Sequence, residues 1–143
     1  MSDSVFLDTN VLVYAFGAKR SSMPDPRAEV AQRIVIDGAM VSVQVLNEFA
    51  QVCHGKVGLP WDRIIATLQV IKELCGPAVP LTVDLHEMAV ELSRRHGFRI
   101  YDSLILAAAI KARCTTLLTE DLQHGQVVEG VRVENPFLLA QNP

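Results

Sequence analysis

The chain has 143 residues, half of them apolar, which is enough for one domain with a single sizeable core. A mean hydropathy of +0.25 excludes the disordered class, and the longest unbroken apolar run, Leu104–Ile110, is far too short to span a bilayer. A formal net charge of −3 argues, at first sight, against a nucleic-acid partner.

The N-terminal stretch has no basic leader region and Asp8 interrupts its apolar run, so no signal peptide is expected and the protein is expected in the cytosol. The apolar content is high for a small domain and predicts a partner-facing patch, such as a homodimer surface. Cys53, Cys75 and Cys114 form no C-x-x-C pair; they predict neither a zinc site nor a disulfide framework, only core filling.

In chain order, Ser4–Leu7 reads as a short strand buried on both faces. A helix over Asn10–Phe16 follows, capped by Thr9 or Asn10. Residues 17–26, with Gly17, Lys19, Arg20, Ser21, Ser22, Pro24 and Pro26, make the one evident loop. Arg27–Ile36 is a helix with Val30, Ala31 and Ile34 on one face, ended by Gly38.

Ala39–Val43 predicts a second strand, and the helix after Ser42 runs to about His54 with Leu46, Phe49, Ala50 and Cys53 in one stripe; Glu48 lies off that stripe. Residues 55–58 read as a turn. Pro60 then opens an amphipathic helix with Ile64, Ile65, Leu68, Ile71 and Cys75 inward, stopped by Gly76-Pro77. Val79–Val83 is the third predicted strand. Asp84, with Glu87 three residues on, reads as the cap of a helix whose inner face is Leu85, Met88, Ala89 and Leu92 and whose end is Gly97.

Tyr101-Asp102-Ser103 leads into Leu104–Ile110, apolar nearly all round and so expected at the centre of the core. Thr115–Leu118 is a fourth strand and Val131–Val133 a fifth, near the edge. The alternation predicts one domain over residues 1–143, an α/β/α three-layer sandwich with a parallel sheet of four to five strands.

Four acids stand at comparable places in that plan. Asp8 follows the first strand and Asp121 the fourth, Glu48 lies one to two turns into the helix after the second, and Asp102 opens the most apolar helix. In a parallel sheet all four fall at one rim, outside the carboxyl ends of the strands. Like charges gathered there raise one another's pKa, and cations relieve the crowding. Carboxylate-only ligation selects Mg²⁺ or Mn²⁺ over zinc, and such ions suit phosphoryl chemistry. His54, His86, His96 and His124 show no ligand-like spacing.

Each acid alone has a plainer reading: a helix cap at Asp8, a dipole-favoured acid at Asp102, solvated surface at Glu48 and at Glu120-Asp121. Setting the four charges aside leaves +1 for the rest of the chain, so local basic groups matter more than the total. Lys19, Arg20 and Arg27 bracket the loop; Arg94, Arg95 and Arg99 precede Asp102. As phosphate contacts they position RNA without reading its sequence; otherwise they are solvated charges. Tyr14 and Trp61 are able to stack on bases, with core or dimer packing the simpler role.

Leu7-Asp8-Thr9-Asn10, Ser42-Val43-Gln44-Val45-Leu46-Asn47-Glu48-Phe49, Tyr101-Asp102-Ser103-Leu104-Ile105 and Leu117-Leu118-Thr119-Glu120-Asp121-Leu122 together resemble the motifs of PIN domains, in particular of VapC-type toxins. The resemblance spans essentially the whole chain in the family's order. It implies a Mg²⁺- or Mn²⁺-dependent endoribonuclease, a homodimer, and a cognate antitoxin that inserts a peptide near the acids. It also implies that Asp8, Glu48, Asp102 and Asp121 bind metal, with Thr9 or Asn10 and Thr119 supporting them. Asp121 is preferred to Glu120 as the fourth acid, and Ser103 stands where the family often has alanine. Two rivals remain from the sequence: a phospho-acceptor receiver domain, which wants a lysine after the last strand where Arg132 is the only base, and a catalytically silent module of the same fold.

Overall fold

The computed structural model describes residues 4–17 and 25–138; Lys19 and Arg20 lie outside them. The elements run β1 (Val5–Leu7), α1 (Thr9–Phe16), α2 (Pro26–Asp37), α3 (Val43–Val52), a π turn (Cys53–Val57), α4 (Trp61–Cys75), α5 (Val83–His96), α6 (Ile100–Lys111), β2 (Thr116–Leu118), β3 (Val127–Val128) and β4 (Val131–Glu134). Strand order is β1-β2-β4-β3, parallel except for the β3–β4 pair, and the helices complete a three-layer α/β/α sandwich.

The second and third predicted strands shrink to single parallel bridges, Phe6↔Met40 and Ser42↔Val79. Their register survives: Met40 exchanges backbone hydrogen bonds with Val5 and Leu7, and Val79 with Val41 and Val43. Length is the reason. Gly38 at φ +104 ends α2, and Ser42 already caps α3, its hydroxyl accepting from the Val45 N–H. After Val79, Pro80 has no N–H to offer a ladder, and Thr82 rather than Asp84 caps α5 by accepting from the Leu85 N–H.

The predicted fifth strand is β4, next to the edge as expected. Beyond it lies β3, joined by a two-residue turn at Glu129 (φ 46) and Gly130 (φ 86), both left-handed as a tight hairpin requires. Of the turn expected at 55–58, residues 55–57 belong to the π turn, and Gly58 in the left-handed region closes it.

The core forms as the patterns imply. Residues 103–109 of α6 are all buried, and the three cysteines are buried and free. Ile65 departs from its predicted inward place: it is 57% exposed, because α4 turns Ile64 and Ile71 to the core instead. Trp61, half exposed, stacks on His54 at 4.2 Å between ring centroids.

Gly17 ends α1 against the π turn. A Cβ there would lie 2.9 Å from the Val13 carbonyl oxygen and 3.1 Å from Cys53 Sγ. Gly17→Ala is expected to destabilise the protein by roughly 1–3 kcal/mol, as overpacking does. Urea unfolding reads this as a lower midpoint at unchanged slope; an unshifted midpoint would show that α1 and the turn have room to separate.

Candidate metal centre

β1 and β2 run side by side with Leu7 opposite Leu118, so the residues that follow each strand, Asp8 and Thr119, emerge together. The Asp8 N–H continues the ladder to the Leu118 carbonyl (3.0 Å), and the Thr119 N–H reaches Glu134 (3.0 Å). Asp8, not Thr9 or Asn10, is the cap of α1: its Oδ1 accepts from the Thr9 N–H at 2.6 Å. The helix cap expected of Asp8 thus uses one carboxylate oxygen and leaves the other for partners across the sheet.

That other oxygen, Oδ2, accepts from the Thr119 hydroxyl (2.6 Å) and from Asn10 Nδ2 (3.3 Å). The Asn10 amide also donates to Asp121 Oδ2 (3.1 Å), so a single side chain ties two acids together. Thr119 is fixed in turn by the Asp121 N–H, which donates to its hydroxyl oxygen (3.0 Å). Asp102 enters from the first turn of α6. One carboxylate oxygen from each of Asp8, Asp102 and Asp121 lies within 4.8 Å of the others. Glu120 stands apart from them, accepting from the Tyr14 hydroxyl.

Glu48 is outside that tight group but within its field. Gln44, four residues earlier on the same face of α3, donates to Glu48 Oε2 (3.0 Å). Burial, then the charges of Asp102 and Asp121, raise the Glu48 pKa against the Gln44 bond. Asp102 is raised by burial and by Asp121. Asp8 is only 4% exposed, and burial pushes its pKa up to about 7 despite the bonds from Thr119 and Thr9; Asp121 and Asp102 add to the rise. The site is thus short of positive charge.

The sequence profile of the family described as PIN domain matches residues 5–129. The chain belongs to the PIN domain family.

Three solved structures share its fold. A toxin–antitoxin complex from Klebsiella pneumoniae superposes with a TM-score of 0.65 at 20% identity, over 93% of this chain and 97% of that one. The Mycobacterium tuberculosis toxin VapC20, which cleaves the sarcin–ricin loop, gives 0.65 at 24% identity over 90% and 99%. VapBC2 from Rickettsia felis, bound to a DNA fragment from its promoter, gives 0.61 at 20% identity over 92% and 97%. No curated protein sequence matches.

Within this PIN domain the basic candidates separate. Arg99, the residue before α6, lowers the pKa of both Asp102 and Glu48 and so acts on the acids. Arg94 is paired with Glu91, and Arg95 with Glu91 (3.5 Å) and Glu129 (3.1 Å). The Arg94 hydrogen bond in particular holds Glu91 down at about 2. Arg27 is spent on Asp25 (3.0 Å) and on Tyr14, whose ring centroid lies 4.4 Å from its guanidinium.

Gln44 was open to detection from its spacing to Glu48. The Tyr14–Glu120 bond was not, because it joins residues 106 apart with no local pattern. Ser103 also gains a role: its buried hydroxyl bonds Ser93 at 2.7 Å and pins α6 to α5.

Proposed function

We propose that this PIN domain is a Mg²⁺- or Mn²⁺-dependent endoribonuclease and the toxin half of a toxin–antitoxin pair. The observation that carries the reading is the convergence of Asp8, Asp102 and Asp121 to within 4.8 Å, with Glu48 in the same field. The donor set fits a hard divalent cation: it is oxygen only, crowded, and pushed toward protonation without one. Asp8, Asp102 and Asp121 would hold the ion, with Glu48 beside them.

When bound, the ion supplies Lewis-acid charge at the phosphodiester and makes water nucleophilic near neutral pH. The chain's own groups do the rest. Thr119, Thr9 and Asn10 hold Asp8 and Asp121 at fixed spacing, which spares reorganisation during the reaction. Gln44 fixes one Glu48 oxygen and leaves the other to orient the attacking water or take its proton. Arg99 is the described cation best placed to meet substrate phosphate; Lys19 and Arg20 keep that role as proposals from sequence.

The toxin reading is supported by the neighbours, two of which are toxin–antitoxin assemblies. An antitoxin partner and a homodimer belong to it, and exposed Ile36, Ile65, Val83 and Tyr101 offer apolar surface for contacts of that kind. No described helix is long and apolar enough to cross a membrane, and a cytoplasmic place goes with the toxin reading. The receiver-domain rival falls with the family assignment. A catalytically silent module is disfavoured by the complete acid set.

The purified chain is expected to cleave RNA with Mg²⁺ or Mn²⁺ and to fall to background in EDTA, with recovery when the ion is returned in excess. Full activity in EDTA would refute the assignment, and stability unmoved by Mn²⁺ would favour the silent module.

A further inference from the structure

The loop after β2 carries two acids in a row, yet only Asp121 joins Asp8 and Asp102, and Glu120 is left out. What separates them is a side chain of α1. The Tyr14 hydroxyl donates to Glu120 Oε1 at 2.7 Å and holds that carboxylate against the helix.

Tyr14 is itself fixed by its surroundings. Its ring meets the fully buried Phe137 edge-on, with 4.8 Å between centroids. The Arg27 guanidinium lies 4.4 Å from the ring centroid, and Arg27 Nη1 donates to the hydroxyl at 2.8 Å. Asp25 restrains Arg27 in turn. It accepts from Arg27 Nε (3.1 Å) and Nη2 (3.0 Å) and, as the cap of α2, from the Arg27 backbone N–H (2.9 Å). A phenol held this way keeps one orientation, and its bond to a carboxylate is of the stronger, charge-assisted kind.

Asp121 needs such an anchor. Its side chain is exposed and accepts from Asn10 Nδ2 at 3.1 Å. That same amide group faces Asp8 Oδ2 (3.3 Å) and Thr119 Oγ1 (3.2 Å), so its two N–H donors are shared among three acceptors. The Asn10 carbonyl oxygen accepts from the Glu120 N–H across a long 3.4 Å. The Asp121 N–H donates to Thr119, which ties it within the loop and not to the helix. Tyr14 stands one turn beyond Asn10 on the same side of α1, and its bond is the shortest described between that helix and residues 120–121.

We infer, on the ribonuclease reading, that Tyr14 is a positioning residue for the metal centre: by holding Glu120 back it aims Asp121 at Asp8 and Asp102 and so sets the affinity for the cation. Arg27 and Asp25 act through Tyr14. Without the hydroxyl the loop is free to turn either acid toward the cluster, and an ion must then order what the fold had already arranged.

Tyr14→Phe keeps the ring against Phe137 and removes only the hydroxyl. It is expected to weaken Mn²⁺ binding about tenfold by calorimetry at pH 8, as the loss of one bond to a charged group does. RNA cleavage should need about tenfold more Mn²⁺ for half its maximal rate while the maximal rate stays within about twofold of wild type. A merely structural role would lower the maximal rate and leave the Mn²⁺ requirement alone. In a Glu120→Ala background, where the hydroxyl has no carboxylate to hold, Tyr14→Phe should change Mn²⁺ affinity by less than about twofold.

Mn²⁺ affinity unchanged in Tyr14→Phe, or an equal loss in the Glu120→Ala background, overturns the inference. Wild-type protein that binds no Mn²⁺ tells against the nuclease reading instead, and amide exchange in the metal-free protein, followed by NMR, then decides whether Tyr14 fixes Asp121. The Asp121 N–H should exchange about tenfold faster in Tyr14→Phe, while the Asp8 N–H, bonded to Leu118 in the sheet, keeps its rate. Equal Asp121 rates in the two proteins overturn the positioning role.

Discussion

Asp8→Asn is expected to lower RNA cleavage by about a thousandfold or more while raising the melting temperature of the metal-free protein at pH 8. The first half follows from removing a charge central to cation binding, where several kcal/mol of transition-state stabilisation are at stake. The second follows from burial. Asp8 has its pKa raised from 3.8 to about 7. Holding it ionised in the fold at pH 8 therefore costs up to about 4 kcal/mol, at 1.36 kcal/mol per unit.

Asparagine keeps the helix cap through its carbonyl oxygen but cannot accept the Thr119 hydroxyl as Oδ2 does, a loss of roughly 1–3 kcal/mol. The net gain should raise the melting temperature by several degrees. Circular dichroism and a single-turnover cleavage assay read both halves. Cleavage at the wild-type rate would remove Asp8 from the site; a lower melting temperature at pH 8 would show that its hydrogen bonds outweigh its confinement.

The wild-type protein without metal should lose stability as the pH rises from about 4 to 7, and Mn²⁺ should reverse the trend. Asp8 binds its proton more tightly folded than unfolded, so the fold is favoured fully below 3.8 and progressively less up to about 7. Glu48 and Asp102 are raised too and act in the same direction. Glu91, held down at about 2 from its ordinary 4.5, opposes the trend only at the acid end of this window, where the unfolded chain still titrates it.

A cation needs the ionised acids, so its stabilisation grows with pH and reaches about 2.7 kcal/mol at a hundred times its Kd. Thermal melts at pH 5, 6.5 and 8, with Mn²⁺ or with EDTA, should therefore diverge most at pH 8. Melting that is flat with pH and indifferent to Mn²⁺ would mean that the acids are too well solvated to need an ion.

The two expectations share a cause that is only partly visible in one dimension. Asp8 and Asp121 each follow a short apolar run, and a parallel sheet brings such positions to a common edge whatever the loops between them do. Glu48 lies in the second turn of α3, whose start follows from Ser42, and Asp102 in the first turn of α6, which follows from that helix's apolar length. The amphipathic patterns likewise place the helices, because burying one face is a local demand on the spacing of apolar residues.

Misplacements arose where two local demands competed. The strands expected at 39–43 and 79–83 were cut to bridges because the caps at Ser42 and Thr82 and the missing N–H of Pro80 claimed the same few residues. β3 was missed because two residues are too few to show alternation.

Local patterning, then, was enough for the α/β class, the helix inventory and the identity of the acids at the rim, since each depends on neighbours a few positions away. Packing alone decided which carboxylates lie within reach of one ion, that Asp8 is buried enough to resist ionisation, that Arg94 and Arg95 are engaged by Glu91, and that Glu120 is tied to Tyr14. Those outcomes turn on distance and solvent exclusion between residues as much as 111 positions apart, and no spacing along the chain encodes either quantity.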